Sequence, residues 1–120
     1  MTTIEKQEIL ERNELGIRIL MIDGCLDHNL SIKLNRLAQP YVKQAGSKIL
    51  IDLERTKSIG SMGYAVLIQL MEGAEESGSR VELCNLQGVA RESFEIIGFE
   101  GIEAASAPRE CALKRLGFGA

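Results

Sequence analysis

Residues 48–86, KILIDLERTKSIGSMGYAVLIQLMEGAEESGSRVELCNL, carry the pattern that sets the fold class. The apolar runs over 48–53 and 80–86 have the length and the β-branched content of strands that are buried between two layers. Between them, residues 61–77 are apolar on more than one side, which predicts a helix that other elements substantially cover. This order of strand, helix and strand favours a right-handed crossover between two parallel strands.

Glycines mark the ends of the predicted helices. Gly46, Gly78, Gly98 and Gly117 each follow a helix-like segment, at the position where the left-handed backbone of a C-terminal cap favours glycine. The elements predicted outside 48–86 are a strand over 16–24, a helix over 29–45, a shorter helix over 89–97 with Phe94 and Ile97 facing inward, a short strand near 102–104 and a last helix over 108–116.

The N-terminal segment TIEKQEILER, residues 3–12, fits a strand or a helix by propensity. The turn-like RNELG over 12–16 favours a strand, because two antiparallel strands can be joined by so short a connection. We expect this strand to pair at the edge of the sheet. The chain is therefore predicted to be one α/β domain over 1–120, with a mostly parallel sheet and an N-terminal edge hairpin.

Pro40 conflicts with the predicted helix over 29–45. Proline removes a backbone hydrogen bond, and its ring clashes with the carbonyl group four residues earlier, which here belongs to Arg36. We therefore expect a kink or a break in this helix near Gln39.

The composition argues against several classes of function. The net charge is −3 and no run of Lys and Arg offsets it, so no nucleic acid partner is expected. The three cysteines, Cys25, Cys84 and Cys111, are far apart and lack a C-x-x-C spacing, which argues against a disulfide framework and against a metal site. The chain has no apolar signal segment and no run long enough for a membrane span, so we expect a cytoplasmic protein.

Enzymatic motifs are missing from the sequence. His28, beside Asp27, is the single histidine, and Ser61 lies in IGSMG, where Ile59 replaces the first glycine of a nucleophile elbow. Neither a P-loop nor a G-x-G-x-x-G motif occurs. Cys84 lies in the middle of a predicted strand and is expected in the core. We therefore predict no catalytic residue and no cofactor.

The turn SIGSMG, residues 58–63, allows two interpretations. Ser61 begins a predicted helix, whose free N–H groups and positive dipole end could accept an added phosphoryl group. In the other interpretation, Ser61 is an N-cap serine, and Gly60 and Gly63 serve backbone conformation and close packing. The turn alone favours the second interpretation.

Three segments in order resemble the STAS domain family, and within it the small bacterial anti-sigma-factor antagonists. They are IRILMIDGCLD over 17–27, the stretch over 48–86, and VARESFEIIGFEGI over 89–102. The resemblance extends from about residue 15 to residue 116. It implies a five-stranded sheet with about four helices, mainly on one face.

The resemblance also implies a function without turnover. The unphosphorylated protein would bind an anti-sigma factor that is a serine protein kinase. Phosphorylation would release the anti-sigma factor, and a serine phosphatase would remove the phosphoryl group. The phosphorylation site of the family falls on Ser61, its closing glycine on Gly63, and its kinase-recognition aspartate on Asp27. The partner-binding residues predicted on this basis are Asp27, His28, Gly60, Ser61, Met62, Gly63 and Tyr64.

Two residues depart from the family pattern. Gly60 stands where the family has an aspartate before the phosphorylated serine, and Met62 stands where it has a small residue. Met62 could contact a partner or turn inward. The alternative function is therefore a constitutive, non-phosphorylated STAS scaffold or a small-ligand-binding module, with Ser61 only a helix cap.

Overall fold

Strands and helices alternate along the chain in the computed structural model, which describes residues 7–117. The strands in this part of the chain are β1 (Glu8–Glu14), β2 (Ile17–Leu26), β3 (Lys48–Asp52), β4 (Thr56–Ile59) and β5 (Arg80–Cys84). Its helices are α1 (His28–Val42), α2 (Ser61–Ser77), α3 (Gly88–Ile97), α4 (Ile102–Ser106) and α5 (Arg109–Arg115). The predicted bounds of α2 are confirmed.

The sheet is mostly parallel and begins with an edge hairpin, as predicted. β1 pairs antiparallel with β2, whereas β2 with β3 and β3 with β5 are parallel. Leu15 and Gly16 connect the hairpin with positive φ angles of 48° and 84°. Positive φ at both central residues is the geometry that matches the twist of the flanking strands. The part of the first predicted strand before residue 7 lies outside the described residues.

The fifth strand lies at a different place from the predicted one. β4 pairs parallel with the end of β2, beyond the point where β3 ends, and the buried Thr56 hydroxyl donates to the Ile22 carbonyl over 2.9 Å. A short polar run such as TKSI has little strand signal of its own, because its pairing depends on the extra length of β2. The predicted strand near 102–104 is wrong, since these residues begin α4, a segment rich in helix-forming Glu and Ala.

The helices cover the two faces of the sheet unequally. One core lies between the sheet and α1 to α4 and includes the fully buried Leu34, Leu67 and Phe94. A smaller core on the opposite face includes Leu50 and Cys84, packed against residues 112, 113 and 116 at the C-terminal end of the domain. Helices lie mainly on one face, as the family resemblance implied, and α5 is the exception.

Of two expectations about the helices, the expected break in α1 is wrong and the expected coverage of α2 is confirmed. α1 is not broken near Gln39, because Pro40 lies in its last turn, where Lys43 N–H still donates to the Gln39 carbonyl over 3.0 Å. α2 is substantially covered, as expected, since the buried Val66 and Leu70 are flanked by residues that are half-buried, namely Tyr64, Ile68 and Met71.

A buried carboxylate joins α5 to the sheet. Asp52, at the end of β3, accepts bonds from Arg109 Nη2 at 2.7 Å and Nε at 3.0 Å, and from Asn85 Nδ2 at 3.0 Å. Burial by itself raises the pKa of Asp52. The hydrogen bonds that its carboxylate accepts, chiefly those from Asn85 and Arg109, together lower this pKa by more than burial raises it, so the pKa lies below its usual value. Burial, reinforced by the Asp52 charge, raises the pKa of the neighbouring Cys84 thiol to about 12, so Cys84 is a core residue and not a nucleophile at neutral pH.

Candidate functional site

Two helices begin side by side at one edge of the sheet. β2 and β4 end together, with Leu26 paired to Ile59, and α1 and α2 start directly after them. The Gly60 N–H donates to the Leu26 carbonyl over 3.1 Å, which holds the two strand ends together. The structure therefore brings Asp27 and Ser61, 34 positions apart in the sequence, to the same surface.

Asp27 is the N-cap residue of α1. Its Oδ1 accepts from the Leu30 N–H at 2.9 Å, and its main-chain carbonyl accepts from the Ser31 N–H at 2.9 Å. Asp27 and the following His28 are both exposed. The carboxylate is thus held in place by its own helix while it faces the solvent beside the start of α2.

Ser61 is the first residue of α2 and not its cap. Gly60 occupies the N-cap position with φ −80° and ψ 176°, and no side chain accepts a hydrogen bond there. The interpretation of Ser61 as an N-cap serine is therefore wrong. Ser61 is exposed, and it lies at a helix end whose first N–H groups have no capping side chain and whose dipole is positive.

Gly60 and Gly63 differ in whether the packing at their position requires glycine. A Cβ at Gly63 would lie 2.8 Å from both the carbonyl oxygen and Cγ of Leu26, so only glycine lets α2 approach the end of β2 this closely. A Cβ at Gly60 would lie 3.7 Å from the Leu26 carbonyl, an ordinary contact, and φ at Gly60 is negative. Close packing thus requires Gly63, whereas the fold would accept an aspartate at position 60.

We expect Gly60→Asp to stabilise the protein by a few tenths of a kcal/mol, and by no more than about 1 kcal/mol. An aspartate at the N-cap accepts a hydrogen bond from the first turn of α2 and complements the helix dipole. The measurement is the midpoint of urea unfolding at an unchanged m value. Gly60→Asn is the matched control, because it supplies the cap without the charge. A lower midpoint for both variants would contradict the steric fit described above.

A cavity of about 270 Å³ adjoins Ser61. Ile59, Gly60, Ser61 and Tyr64 form the part of its lining that belongs to β4 and α2. The Tyr64 ring is half-buried and packs edge-on against Phe94, with centroids 5.1 Å apart. The Tyr64 ring therefore forms a wall of the cavity whose position is fixed by its contact with the buried Phe94 ring.

The rest of the lining comes from α3, which sequence reasoning missed. Ser93, Phe94, Ile96 and Ile97 line the cavity, and Ile97, predicted to face inward, is 52% exposed. Ile97 is the last residue of α3. Phe94 and Ile97 are three residues apart and share one helical stripe, so the sequence pattern carried no signal that separated the buried Phe94 from the exposed Ile97.

The other predicted site residues differ in accessibility. Met62 is 39% exposed, so it lies at the surface and is only partly covered. Gly63 is buried against Leu26, so it positions α2 and leaves Ser61 and Met62 at the surface.

Residues 7–117 contain neither a membrane-spanning helix nor a metal-binding cluster. Within that range no helix is both long and apolar enough to cross a membrane. The same residues hold no cluster of three or more His, Cys, Asp or Glu side chains that could bind a metal ion.

Comparison with known proteins gives a family, a relative and a fold. The model of the STAS domain matches residues 8–109. A Bordetella bronchiseptica protein assigned as the anti-sigma factor antagonist BtrV is 27% identical over 97 residues, which are 81% of this chain and 84% of that protein.

Two solved structures share the fold. A Thermotoga maritima protein assigned as an anti-sigma factor antagonist matches with a TM-score of 0.75 at 14% identity, over 91% of this chain and 94% of that chain. The Bacillus cell fate determinant SpoIIAA, solved in its phosphorylated form, matches with a TM-score of 0.67 at 23% identity, over 92% of this chain and 99% of that chain.

Proposed function

The chain belongs to the STAS domain family, and from this we propose that it is an anti-sigma factor antagonist that works by phosphorylation-dependent partner switching. In this proposal the unphosphorylated protein binds an anti-sigma factor that is also a serine protein kinase. Phosphorylation of Ser61 releases the anti-sigma factor, and a serine phosphatase restores the binding form. The protein acts in the bacterial cytoplasm and catalyses no reaction itself.

The observation that carries this proposal is the position of Ser61. Its side chain is exposed at the start of α2, beside the exposed Asp27, so a kinase can reach the hydroxyl. A phosphoryl group brings a charge of about −1.5 to −2, and a helix N-terminus carries roughly half a positive charge together with free N–H donors. The phosphorylated serine is therefore compatible with the folded state, and its main effect falls on the surface.

The names of the relatives support the same proposal. BtrV is assigned as an anti-sigma factor antagonist, and SpoIIAA is a protein that has been solved with its phosphoryl group in place. Transferred to this chain, these names favour an anti-sigma factor as the partner and phosphorylation as the signal.

We expect the kinase anti-sigma factor of the same organism, with ATP, to add one phosphoryl group to the protein. Intact-mass spectrometry should show a single addition, and Ser61→Ala should abolish it. Ser58→Ala is the matched control, because Ser58 lies three residues earlier and is only half-exposed. The affinity of the phosphorylated protein for the kinase should fall by at least about tenfold, because the added charge enters the contact surface.

Gly60 favours the alternative, a constitutive STAS scaffold or small-ligand-binding module. The family aspartate before the serine is absent, so the kinase lacks a carboxylate that it could use to align the hydroxyl. A stable complex with the kinase in which Ser61 is never phosphorylated would support this alternative. If Gly60→Asp then allowed phosphorylation of Ser61, the missing carboxylate would be the cause.

A further inference from the structure

Exposed apolar side chains are concentrated at the start of α2 and on α3. Six large apolar side chains are exposed in the part of the chain that the structure describes. Four of them lie in the first turn of α2 or on α3, namely Met62, Val89, Ile96 and Ile97, and Ile96 is 86% exposed. Single exposed apolar residues are ordinary, but Ile96 and Ile97 are adjacent and both line the cavity beside Ser61, and such a group marks an interaction surface.

The chemistry of the cavity limits what can occupy it. None of its lining residues is charged, and Ile59, Tyr64, Phe94 and Ile97 supply apolar walls. Its volume of about 270 Å³ is below the range of roughly 300–1,000 Å³ that is usual for small-molecule sites. A nucleotide would find neither the space nor a basic side chain for its phosphates, whereas an aliphatic or aromatic side chain finds both space and apolar contacts.

We propose that this cavity is the docking pocket for an apolar side chain of the anti-sigma factor, and that α3 therefore belongs to the partner interface. This inference rests on the proposed function. Gly60 and Ser61 line the cavity, so a kinase that reaches the Ser61 hydroxyl lies over its opening. Interfaces commonly gain most of their affinity from a few such anchors in desolvated pockets.

The shared lining also explains how one phosphoryl group releases the partner. Phosphorylation of Ser61 places a dianion on the wall of an otherwise uncharged pocket. When an apolar side chain fills the pocket, it removes water from that dianion without offering a hydrogen bond, and such desolvation is unfavourable. Release thus follows from the changed polarity of the pocket and needs no rearrangement of the fold.

The test compares the affinity of pocket variants for the kinase that phosphorylates Ser61. Ile97→Ser removes an exposed wall of the pocket, and Ser93→Phe fills the pocket from its α3 side. Leu15→Ser and Ser93→Ala are the matched controls, since Leu15 is an 84% exposed apolar residue on the distant hairpin and Ser93→Ala removes only a hydroxyl. Urea unfolding checks that every variant is folded.

Ile97→Ser and Ser93→Phe should each weaken the binding of the kinase by at least about tenfold, and both controls should stay within about twofold. If the wild-type protein binds the kinase tightly and both pocket variants bind it equally tightly, the docking role is overturned and the proposed function stands. If no kinase binds the wild-type protein, the proposed function fails and the docking role fails with it. A wild-type dimer that Ile97→Ser dissociates would instead assign the pocket to a second copy of the chain.

Discussion

Arg109→Ala should destabilise the protein by about 3–5 kcal/mol, the largest effect that we expect from a single substitution. Arg109 donates two hydrogen bonds to Asp52, which is 1% exposed, so its loss leaves a buried carboxylate without a cationic partner. The remaining donors, Asn85 Nδ2 and the Glu54 N–H, are neutral and accommodate the charge less well. Urea unfolding measures the loss.

The matched control is Arg115→Ala. Arg115 also joins α5 to the sheet, through Glu82 Oε1 at 2.7 Å, but both side chains of this pair are partly exposed and water can replace the lost bonds. We expect a loss of about 1 kcal/mol or less there. In a double-mutant cycle, Asp52→Asn should recover part of the stability lost in Arg109→Met, because the buried charge is then gone as well. Equal losses for Arg109→Ala and Arg115→Ala would contradict the special position of Asp52.

The same pair gives the protein a sensitivity to acid. The pKa of Asp52 in the folded state lies below its unfolded value of about 3.9, so between these two pKa values the unfolded state binds more protons. The stabilisation is complete above the unfolded pKa and is lost as the pH falls through the lowered folded pKa. Asp52→Asn should flatten this part of the curve of stability against pH, and an unchanged acid limb in Asp52→Asn would show that other groups control it.

Gly63→Ala should destabilise the protein by about 1–3 kcal/mol, although alanine is the better helix former. The new methyl group would lie 2.8 Å from the Leu26 carbonyl oxygen and Cγ, and neither atom is the free end of a flexible side chain. The start of α2 must therefore move away from β2. Urea unfolding gives the energy, and faster hydrogen exchange of the Gly60 N–H, which bonds to the Leu26 carbonyl, would report the movement.

Gly73→Ala is the control for this prediction, because it lies in the same helix. A Cβ at Gly73 would meet only Val42 Cγ1 at 3.2 Å, a side-chain methyl group that can shift slightly. The gain in helix propensity should then offset the contact, and we expect stability to change by less than about 0.5 kcal/mol. A similar loss in the two variants would show that alanine is tolerated no worse at the end of β2 than in the middle of the helix.

The sequence predicted those elements whose signal lies within the element itself. The bounds of α2 follow from its apolar pattern and from Gly78, which caps its C-terminus with φ 79°. The end of α3 follows from the same kind of cap, since Gly98 has φ 77° there. The missed strand β4 has a weak local pattern, so its conformation depends on its neighbours, whereas at 102–104 the local content of helix-forming Glu and Ala argued against the predicted strand.

The same distinction between local signals and contacts with other elements applies to the candidate site. The sequence by itself determined that the chain forms a mostly parallel α/β sheet with Ser61 at the start of a helix, because periodicity, turns and glycine caps are properties of neighbouring residues. Only the tertiary structure decided that Gly60, and not Ser61, is the N-cap of α2. It also decided that Ile97 of α3 is exposed near Ser61 instead of facing the core. The physical reason is distance along the chain. The contacts that form the site join residues about 30 positions apart, namely Leu26 with Ile59 and Tyr64 with Phe94. No local sequence pattern encodes such contacts.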